Sequence, residues 1–390
     1  MNAREYREAH QQELHDLLIT LCGIPAPSNK EELRAAFCRD WFMEHGAACC
    51  DYVEVSVDEA LNVRCMIRGT GEGTLPVAVF MAHTDTVFPD MEPMPIVEVD
   101  GKICCPGVGD DTANLVVLMM TAAYILENNL RPKDYDMLIV ANSGEEGLGN
   151  LKGSRQIVKE FGDRIACFYS FDGGCGGYMD KAVGSHRYRV EARTVGGHSY
   201  GSFGNPNAIA VLAGMIGSFY ELKVPNKGYT TYNVGTISGG TSVNTIAQQA
   251  EMLYEYRSDD REDLAFMEKH FWSVIESYRA KGHDIRVELV GDRPCGGEVD
   301  PAKQQELADL AVKVLSEAYP EIWAERMASG KIKGFSGSTD CNIPLSMGIP
   351  SICFGCYVGG GAHTREEWVM ADSLMPGWQA AMNVMLHYFN

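Results

Sequence analysis

The chain has 390 residues, 45% of them apolar and 22% charged, and a chain of this length usually folds into more than one domain. Its formal net charge of −20 argues against nucleic acid or an anionic membrane surface as a partner, because both are negatively charged. No apolar run approaches the roughly 20 residues that cross a bilayer, and the charged first residues do not resemble a signal peptide. The thirteen cysteines are scattered along the chain, a pattern typical of reduced thiols. We therefore predict a cytoplasmic protein.

The first part of the chain alternates between helical and extended patterns. Helices are predicted over 2–22, 29–46 and 114–127 and after residue 152, and strands near residues 53 and 63 and over 77–82, 137–141 and 167–171. Such alternation predicts an α/β domain with a mixed or largely parallel central sheet covered by helices.

Residues 185–295 follow a different pattern. Strand and helix signals come there in the order βαββαβ, which is the ferredoxin-like arrangement of a small α+β domain. The segment GDRPCGG at 291–297 is typical of a linker, and helix and strand patterns resume at residue 301. We therefore predict a domain in two pieces, 1–184 and 296–390, interrupted by an inserted domain at 185–295.

Acidic and imidazole side chains follow the predicted strands of the two-piece domain, where open α/β sheets place their ligand sites. Taken singly, such residues have ordinary explanations, since an Asp before a helix commonly serves as its N-cap. An HxD pair also allows one imidazole nitrogen to bind a metal while the carboxylate accepts the other N–H. The residues are His83 and Asp85 in HTDTVF, Asp110 in GVGDDTAN, Glu145 and Glu146 in SGEEGLGN, Asp172 in FDGG and His363 in GAHTREEW.

As a set, these side chains are typical of a binuclear metal site. Two imidazoles and three carboxylates suit two zinc-type ions that share one carboxylate, and a further glutamate can act as general base. Two ions about 3.5–4 Å apart can share a water, lower its pKa and clamp a carbonyl oxygen under attack, which is the chemistry of amide hydrolysis. Two alternatives stay open. The site could hold manganese or cobalt, because carboxylate-rich sites accept several divalent metals, or it could hold a single ion.

In this order, HTDTVF, GVGDDTAN, SGEEGLGN, FDGG, GGHS and GAHTREEW resemble the metallopeptidase family that contains peptidase T, carboxypeptidase G, aminoacylase and acetylornithine deacetylase. The resemblance extends over essentially the whole chain. It implies a zinc-exopeptidase-like catalytic domain with an inserted lid and dimerisation domain. It also implies these roles: His83 and Asp172 hold one zinc ion, Glu146 and His363 hold the other, Asp110 bridges them, Glu145 is the general base and Asp85 is the partner of His83.

The resemblance implies features beyond the metal ligands. The peptide bond between Asp110 and Asp111 would be cis, and in a homodimer His198 of GGHS would stabilise the oxyanion in the active site of the other subunit. His198 could instead be an ordinary loop histidine, and Arg257 a surface strand residue. Three residues would face the substrate: Asn244, Arg257 and Asp340.

Two positions depart from the family pattern. Thr112 stands where many members carry Lys, and Ser336 stands where tripeptidase-like members carry Arg, whose loss removes a bidentate clamp for a carboxylate. The sequence thus predicts a zinc-dependent, peptidase T-like or carboxypeptidase-like enzyme that cleaves small peptides through a water bridging the metals. An N-acyl amino acid deacylase and an inactive binding homologue are the alternatives.

Overall fold

The computed structural model describes residues 1–330 and 334–389. They form two compact units, one of Met1–Ala182 with the chain from Gly297 onward, and one of Val183–Gly296. The sequence placed the inserted domain at 185–295, and a lid or dimerisation role for the second unit stays a prediction. Within the described ranges, no helix is both long enough and apolar enough to cross a membrane.

The helices are, in chain order, α1 (Ala3–Ala9), α2 (Gln11–Cys22), α3 (Glu32–Glu44), α4 (Asn114–Glu127), α5 (Lys152–Phe161), α6 (Ala208–Tyr220), α7 (Arg261–Ala280), α8 (Pro301–Ala318), α9 (Pro320–Ala328), α10 (Asn342–Ser346) and α11 (Leu374–Leu386). The strands are β1 (Val53–Val57), β2 (Val63–Ile67), β3 (Val77–His83), β4 (Val97–Val99), β5 (Lys102–Cys104), β6 (Asp136–Asn142), β7 (Ile165–Phe171), β8 (Met179–Ala182), β9 (Gly184–Arg193), β10 (Gly197–His198), β11 (Thr230–Gly239), β12 (Thr245–Ile246), β13 (Gln249–Ser258), β14 (Asp284–Arg293), β15 (Phe335–Gly337), β16 (Ser351–Phe354), β17 (Gly359–Gly360) and β18 (Trp368–Met370).

Two of the differences from the predicted elements concern the N-terminal helix and a small additional sheet. The helix predicted over 2–22 is interrupted at His10, where the backbone leaves the helical region (φ −110°, ψ 19°) and the imidazole Nδ1 lies 2.7 Å from the carbonyl oxygen of Tyr6. A small sheet with the order β17-β18-β5-β4 has no counterpart among the predicted strands. Its strands have only two or three residues, which is too short for hydrophobic periodicity to reveal.

The first unit contains an eight-stranded mixed sheet with the order β1-β2-β6-β3-β7-β16-β8-β15. Its central strands β6, β3, β7 and β16 are parallel to one another. Every residue of β3 and β6 is buried, because alternate side chains enter separate cores on the two helix-covered faces, as Phe80 and Val79 of β3 do. The predicted α/β class with a mixed sheet covered by helices is confirmed.

The parallel strands bring their carboxyl ends to one edge of this sheet. His83 ends β3, Asp172 follows β7 directly, and β16 leads towards the loop that carries His363. Glu145 comes shortly after β6, whose last residue is paired with His83. Residues far apart in the sequence therefore meet at the edge where open α/β sheets bind ligands.

The second unit has the element order βαββαβ, made by β9, α6, β11, β13, α7 and β14. Its antiparallel sheet has the order β11-β13-β9-β14, which is the ferredoxin-like topology. Helices α6 and α7 supply Leu212, Phe219 and Phe271 to the core of this unit. The short pair of β10 and β12 joins two loops.

Candidate metal centre

His83 is the last residue of β3, and its side chain is buried. Its Nδ1 lies 2.9 Å from the carbonyl oxygen of Asp85 and 3.5 Å from the carboxylate of that residue. A proton on Nδ1 would be donated to the carbonyl oxygen of Asp85, and Nε2 would then be available as a metal ligand. Nε2 faces the carboxylate of Asp110 at a distance of 3.1 Å.

Asp110 lies between two imidazoles. One carboxylate oxygen is 3.1 Å from Nε2 of His83 and the other is 3.0 Å from Nε2 of His363. The same nitrogen of His363 is 2.9 Å from the carboxylate of Glu146. The peptide bond between Asp110 and Asp111 is cis, as the resemblance implies. A carboxylate that faces two separate nitrogen donors is placed to bridge two ions.

The described residues contain three overlapping groups of candidate donors, and two of these groups include Asp110. His83, Asp110 and Asp172 each bring one donor atom to within 4.8 Å of the others, and Asp110, Glu146 and His363 do the same. Because both groups contain Asp110, the arrangement fits two ions that share one carboxylate. The mixture of imidazole nitrogens and carboxylate oxygens suits zinc and also manganese or cobalt.

The charges of these groups also favour a bound cation. Burial and the nearby carboxylate of Asp110 raise the pKa of Asp172 to about 7, and burial raises the pKa of Glu146. Hydrogen bonds to Asp110 and Glu146 raise the pKa of His363 to about 10. Carboxylates crowded into a buried space repel one another, and a divalent ion offsets that repulsion.

Asp85 also holds the loop that carries the two glutamates. Its buried carboxylate accepts the backbone N–H groups of Glu145 and Glu146, both at 3.0 Å, and the hydroxyl of Ser28 at 2.6 Å. The sequence predicted only its contact with the imidazole of His83. Asp85 thus fixes the position of both glutamates relative to that ring.

Asn114 ties together several loops around the site and was missed in the sequence. Its amide nitrogen donates to the carboxylate of Asp111 at 2.7 Å and to the carbonyl oxygen of Gly173 at 3.0 Å, while its oxygen accepts the N–H of Cys356 at 2.7 Å. Asp111 in turn accepts the backbone N–H of His83 at 2.9 Å. The available signal was its place in GDDTAN, one helical turn after Asp111.

Arg34 of α3 lies beside Thr112, one of the two residues that depart from the family pattern. Its buried guanidinium donates to the carbonyl oxygens of Leu21 and Thr84 at 2.8 Å and of Ile24 at 2.9 Å, and lies 3.3 Å from the Thr112 hydroxyl. No sequence pattern marks this residue, because Arg on a helix is ordinarily exposed. The contacts join the N-terminal helices to the residue that follows His83.

Replacing Arg34 by Met is expected to lower the free energy of unfolding by roughly 2–5 kcal/mol, because three buried carbonyl groups lose their donor. The matched control is Arg39→Met on the same helix, where an exposed ion pair with Asp40 predicts a change within about 0.5 kcal/mol. Urea denaturation of the two variants measures the difference. If the Arg34→Met and Arg39→Met variants were equally stable, the buried guanidinium of Arg34 would contribute nothing to the free energy of unfolding.

Asp340 is fully buried, although the resemblance placed it facing the substrate. It accepts a hydrogen bond from the side-chain amide of Asn142, and burial together with the charge of Glu145 raises its pKa well above the usual range. The reason is that the GSTD loop runs directly into α10, whose first four residues are buried. This burial leaves Asp340 no surface for contact with a substrate.

The other predicted site residues belong to the second unit. His198 and Asn244 are exposed on neighbouring loops, which the pairing of β10 with β12 and a 3.0 Å hydrogen bond from Ser199 N–H to the carbonyl of Asn244 hold together. Arg257 is half-buried on β13 and forms an ion pair with Glu255 at 3.0 Å. Their roles towards a substrate stay predictions.

Comparisons with known proteins extend over most of the chain. The sequence model of Peptidase family M20/M25/M40 matches residues 79–387. The uncharacterized protein YqjE of Bacillus subtilis (strain 168) is 24% identical over 340 residues, which cover 83% of this chain and 84% of YqjE.

Two solved structures share the fold at low sequence identity. A tripeptidase from Staphylococcus aureus Mu50 is 22% identical with a TM-score of 0.73, covering 97% of this chain and 99% of its own. The YXEP protein of Bacillus subtilis, a dinuclear metal binding peptidase, is 18% identical with a TM-score of 0.62, covering 98% of this chain and 100% of its own.

Proposed function

This chain belongs to Peptidase family M20/M25/M40, and we propose that it is a zinc-dependent metallopeptidase that cleaves an amide bond of small peptides. Membership of the family makes it a hydrolase and confirms the resemblance of the six motifs. The observation that carries the finer proposal is Asp110, whose two carboxylate oxygens face the Nε2 atoms of His83 and His363 at 3.1 and 3.0 Å. A half-buried carboxylate that faces two imidazole nitrogens in this way is the arrangement expected of a shared metal ligand.

In the proposed site, each of two ions would have one imidazole and one carboxylate of its own. His83 and Asp172 would hold one ion, His363 and Glu146 the other, and Asp110 both. Such ions polarise a carbonyl group and lower the pKa of an attacking water. The dinuclear metal binding of the YXEP protein, which has the same fold, supports two ions rather than one.

Glu145 is the proposed general base. One of its carboxylate oxygens lies within 4.8 Å of donor atoms of His83 and Glu146, and its backbone is held by Asp85. Its side chain would take a proton from the attacking water and return it to the leaving nitrogen. The water oxygen adds to the carbonyl carbon, the C–N bond breaks, and the products are a carboxylic acid and an amine.

His198 is the proposed donor to the oxyanion. Its Nδ1 accepts the backbone N–H groups of Tyr200 and Gly201, both at 3.3 Å. The neutral ring then carries its proton on Nε2, where it can be donated to a developing negative charge. We place this histidine in the active site of the other subunit of a homodimer, and the exposed edge strand β11 of the second unit supports such pairing.

The His198→Ala variant is expected to lose about 10²–10³-fold in kcat with unchanged metal content. A mixing experiment tests action between subunits. Dimers re-formed from equal amounts of His198→Ala and Glu145→Gln chains contain one intact site in half of the population, so about a quarter of wild-type activity is expected to return. No recovery would contradict action between subunits, and full activity of His198→Ala alone would remove it from the reaction.

Two substrate classes are compatible with the proposed site: small peptides and N-acyl amino acids. The family and the tripeptidase fold favour small peptides, whereas Ser336, in place of the Arg of tripeptidase-like members, argues against a strict tripeptidase and leaves N-acyl amino acids as the alternative. Both classes carry a free carboxylate, which Arg257 could bind beside Arg187, since both guanidiniums contact the carboxylate of Glu255.

Hydrolysis of a panel separates the two classes. Chelator-stripped protein with zinc restored is assayed on dipeptides, tripeptides, N-acetyl amino acids and N-aroyl amino acids. Zinc-dependent cleavage of peptides supports the proposal, and cleavage of only the acylated amino acids establishes the deacylase. If the protein binds no metal and cleaves no member of the panel, the metal-centre assignment is wrong. An inactive binding homologue would then be the better hypothesis.

We also propose that the enzyme acts in the cytoplasm without nucleic-acid or membrane partners. The thirteen cysteines are present as reduced thiols in the structure, the state that a reducing compartment maintains. The net charge of −20 disfavours polyanionic partners.

A further inference from the structure

Glu367 belongs to the GAHTREEW motif but has no part in the reaction proposed above. It lies four residues after His363, immediately before β18, and is only 1% exposed. Its carboxylate accepts three backbone N–H groups: that of Gly107 at 2.7 Å on one oxygen, and those of Gly109 at 2.9 Å and Asp110 at 2.7 Å on the other. All three of these hydrogen bonds thus connect the buried carboxylate to the turn that carries Asp110, the proposed bridging ligand.

The backbone of the turn at residues 107–110 brings these N–H groups together around the carboxylate of Glu367. Gly107 has φ +78°, a left-handed conformation that favours glycine, and a side chain at Gly109 would place its Cβ 2.7 Å from the hydroxyl of Tyr357. Backbone N–H groups that converge in this way form an anion-binding nest. Hydrogen bonds from them to an ionised carboxylate are shorter and stronger than those between neutral groups.

The backbone of Glu367 is itself fixed. Its carbonyl oxygen accepts the N–H of Cys105 at 3.1 Å, and the next residue, Trp368, is paired with Cys104 between β18 and β5. The carboxylate therefore reaches the turn from a residue whose backbone adjoins and is held by the β18–β5 pair. Because the His363 loop leads directly into β18, Glu367 links the two segments that supply His363 and Asp110.

We propose that Glu367 is a positioning residue that sets the carboxylate of Asp110 between His83 and His363 and so determines the affinity for both ions. The inference rests on the proposed metal site. All three N–H groups around Asp110 need an acceptor, and the amide of Gln in place of Glu367 supplies one oxygen and one NH₂ group. The NH₂ group would face a backbone donor and displace the turn.

The test is metal binding by chelator-stripped full-length protein, with Zn²⁺ and Mn²⁺ alone as the probes in calorimetric titrations. Glu367→Gln is expected to raise the Kd for the ions about 10- to 100-fold, and excess zinc is expected to restore activity. The matched control is the exposed neighbour Glu366, whose Glu366→Gln variant should bind as the wild type does. A merely structural role would lower the unfolding temperature of the metal-free protein and leave the Kd unchanged.

Each outcome has a separate meaning. Wild-type Kd in a folded Glu367→Gln protein would overturn the inference while the two-metal proposal stands. If that variant does not fold, Glu367→Asp decides, since it keeps the charge but withdraws it by one methylene; a raised Kd supports the inference and a wild-type Kd overturns it. Failure of the wild-type protein to bind two ions would instead overturn the proposed metal site and this inference with it.

Discussion

The Glu145→Gln enzyme is expected to bind two metal ions as tightly as the wild type and to lose about 10²–10⁴-fold in kcat. Gln keeps the size of the side chain, and the backbone bond from residue 145 to Asp85 at 3.0 Å does not involve the replaced group. The amide cannot accept the proton of the attacking water, so the chemical step loses its base. Elemental analysis of metal content and steady-state kinetics on a cleaved substrate of the panel measure the two quantities.

The control for this variant is Glu72→Gln, at an exposed position, which should match the wild type in both measurements. Near-normal turnover of Glu145→Gln would remove Glu145 as the base. Loss of an ion together with turnover would make Glu145 a ligand, because its carboxylate lies in a third donor group with His83 and Glu146, all within 4.8 Å of one another.

The Asp110→Asn enzyme is expected to lose at least one of its two ions and about 10³-fold or more in kcat, since each ion contributes several kcal/mol to such a reaction. The carboxylate now presents one oxygen to His83 and one to His363. An amide keeps only one oxygen acceptor, so it cannot bridge two cations. Zinc stoichiometry after dialysis and kcat measured with added zinc test both parts of the expectation.

The exposed Asp163→Asn substitution is the matched control and should retain two ions. Full occupancy in Asp110→Asn with normal turnover would contradict the bridging role. The two variants are complementary, because Glu145→Gln separates chemistry from metal binding whereas Asp110→Asn removes both.

The position of the site could be read from the sequence because its signals are local. An apolar run such as 77–82 predicts a strand buried on both faces, and the polar residue that ends it, His83, then has to lie at the carboxyl edge of the sheet. The same reasoning applies to Glu145 and Asp172 after β6 and β7. Each prediction needs only the residues of one segment and the general rule for parallel sheets.

The sequence could not show how the segments fit together. It assigned Asp85 to the ring of His83 alone, and the resemblance turned Asp340 towards a substrate, although Asp340 is fully buried. Arg34 could not be recognised either, since its burial depends on carbonyl groups from separate segments. Such contacts depend on packing, which has no periodic signature along the chain.

The sequence by itself determined the fold class, the family and the set of candidate donor residues, because each follows from short motifs and hydrophobic runs. Only the tertiary structure decided that Asp110 faces both imidazoles and that Glu367 holds its turn. The hydrogen bond from Gly107 to Glu367 joins residues 260 positions apart. The physical reason is that the type of side chain decides whether a residue can bind a metal ion. The positions of the donor atoms relative to one another depend on backbone turns, and residues far away in the sequence hold those turns in place.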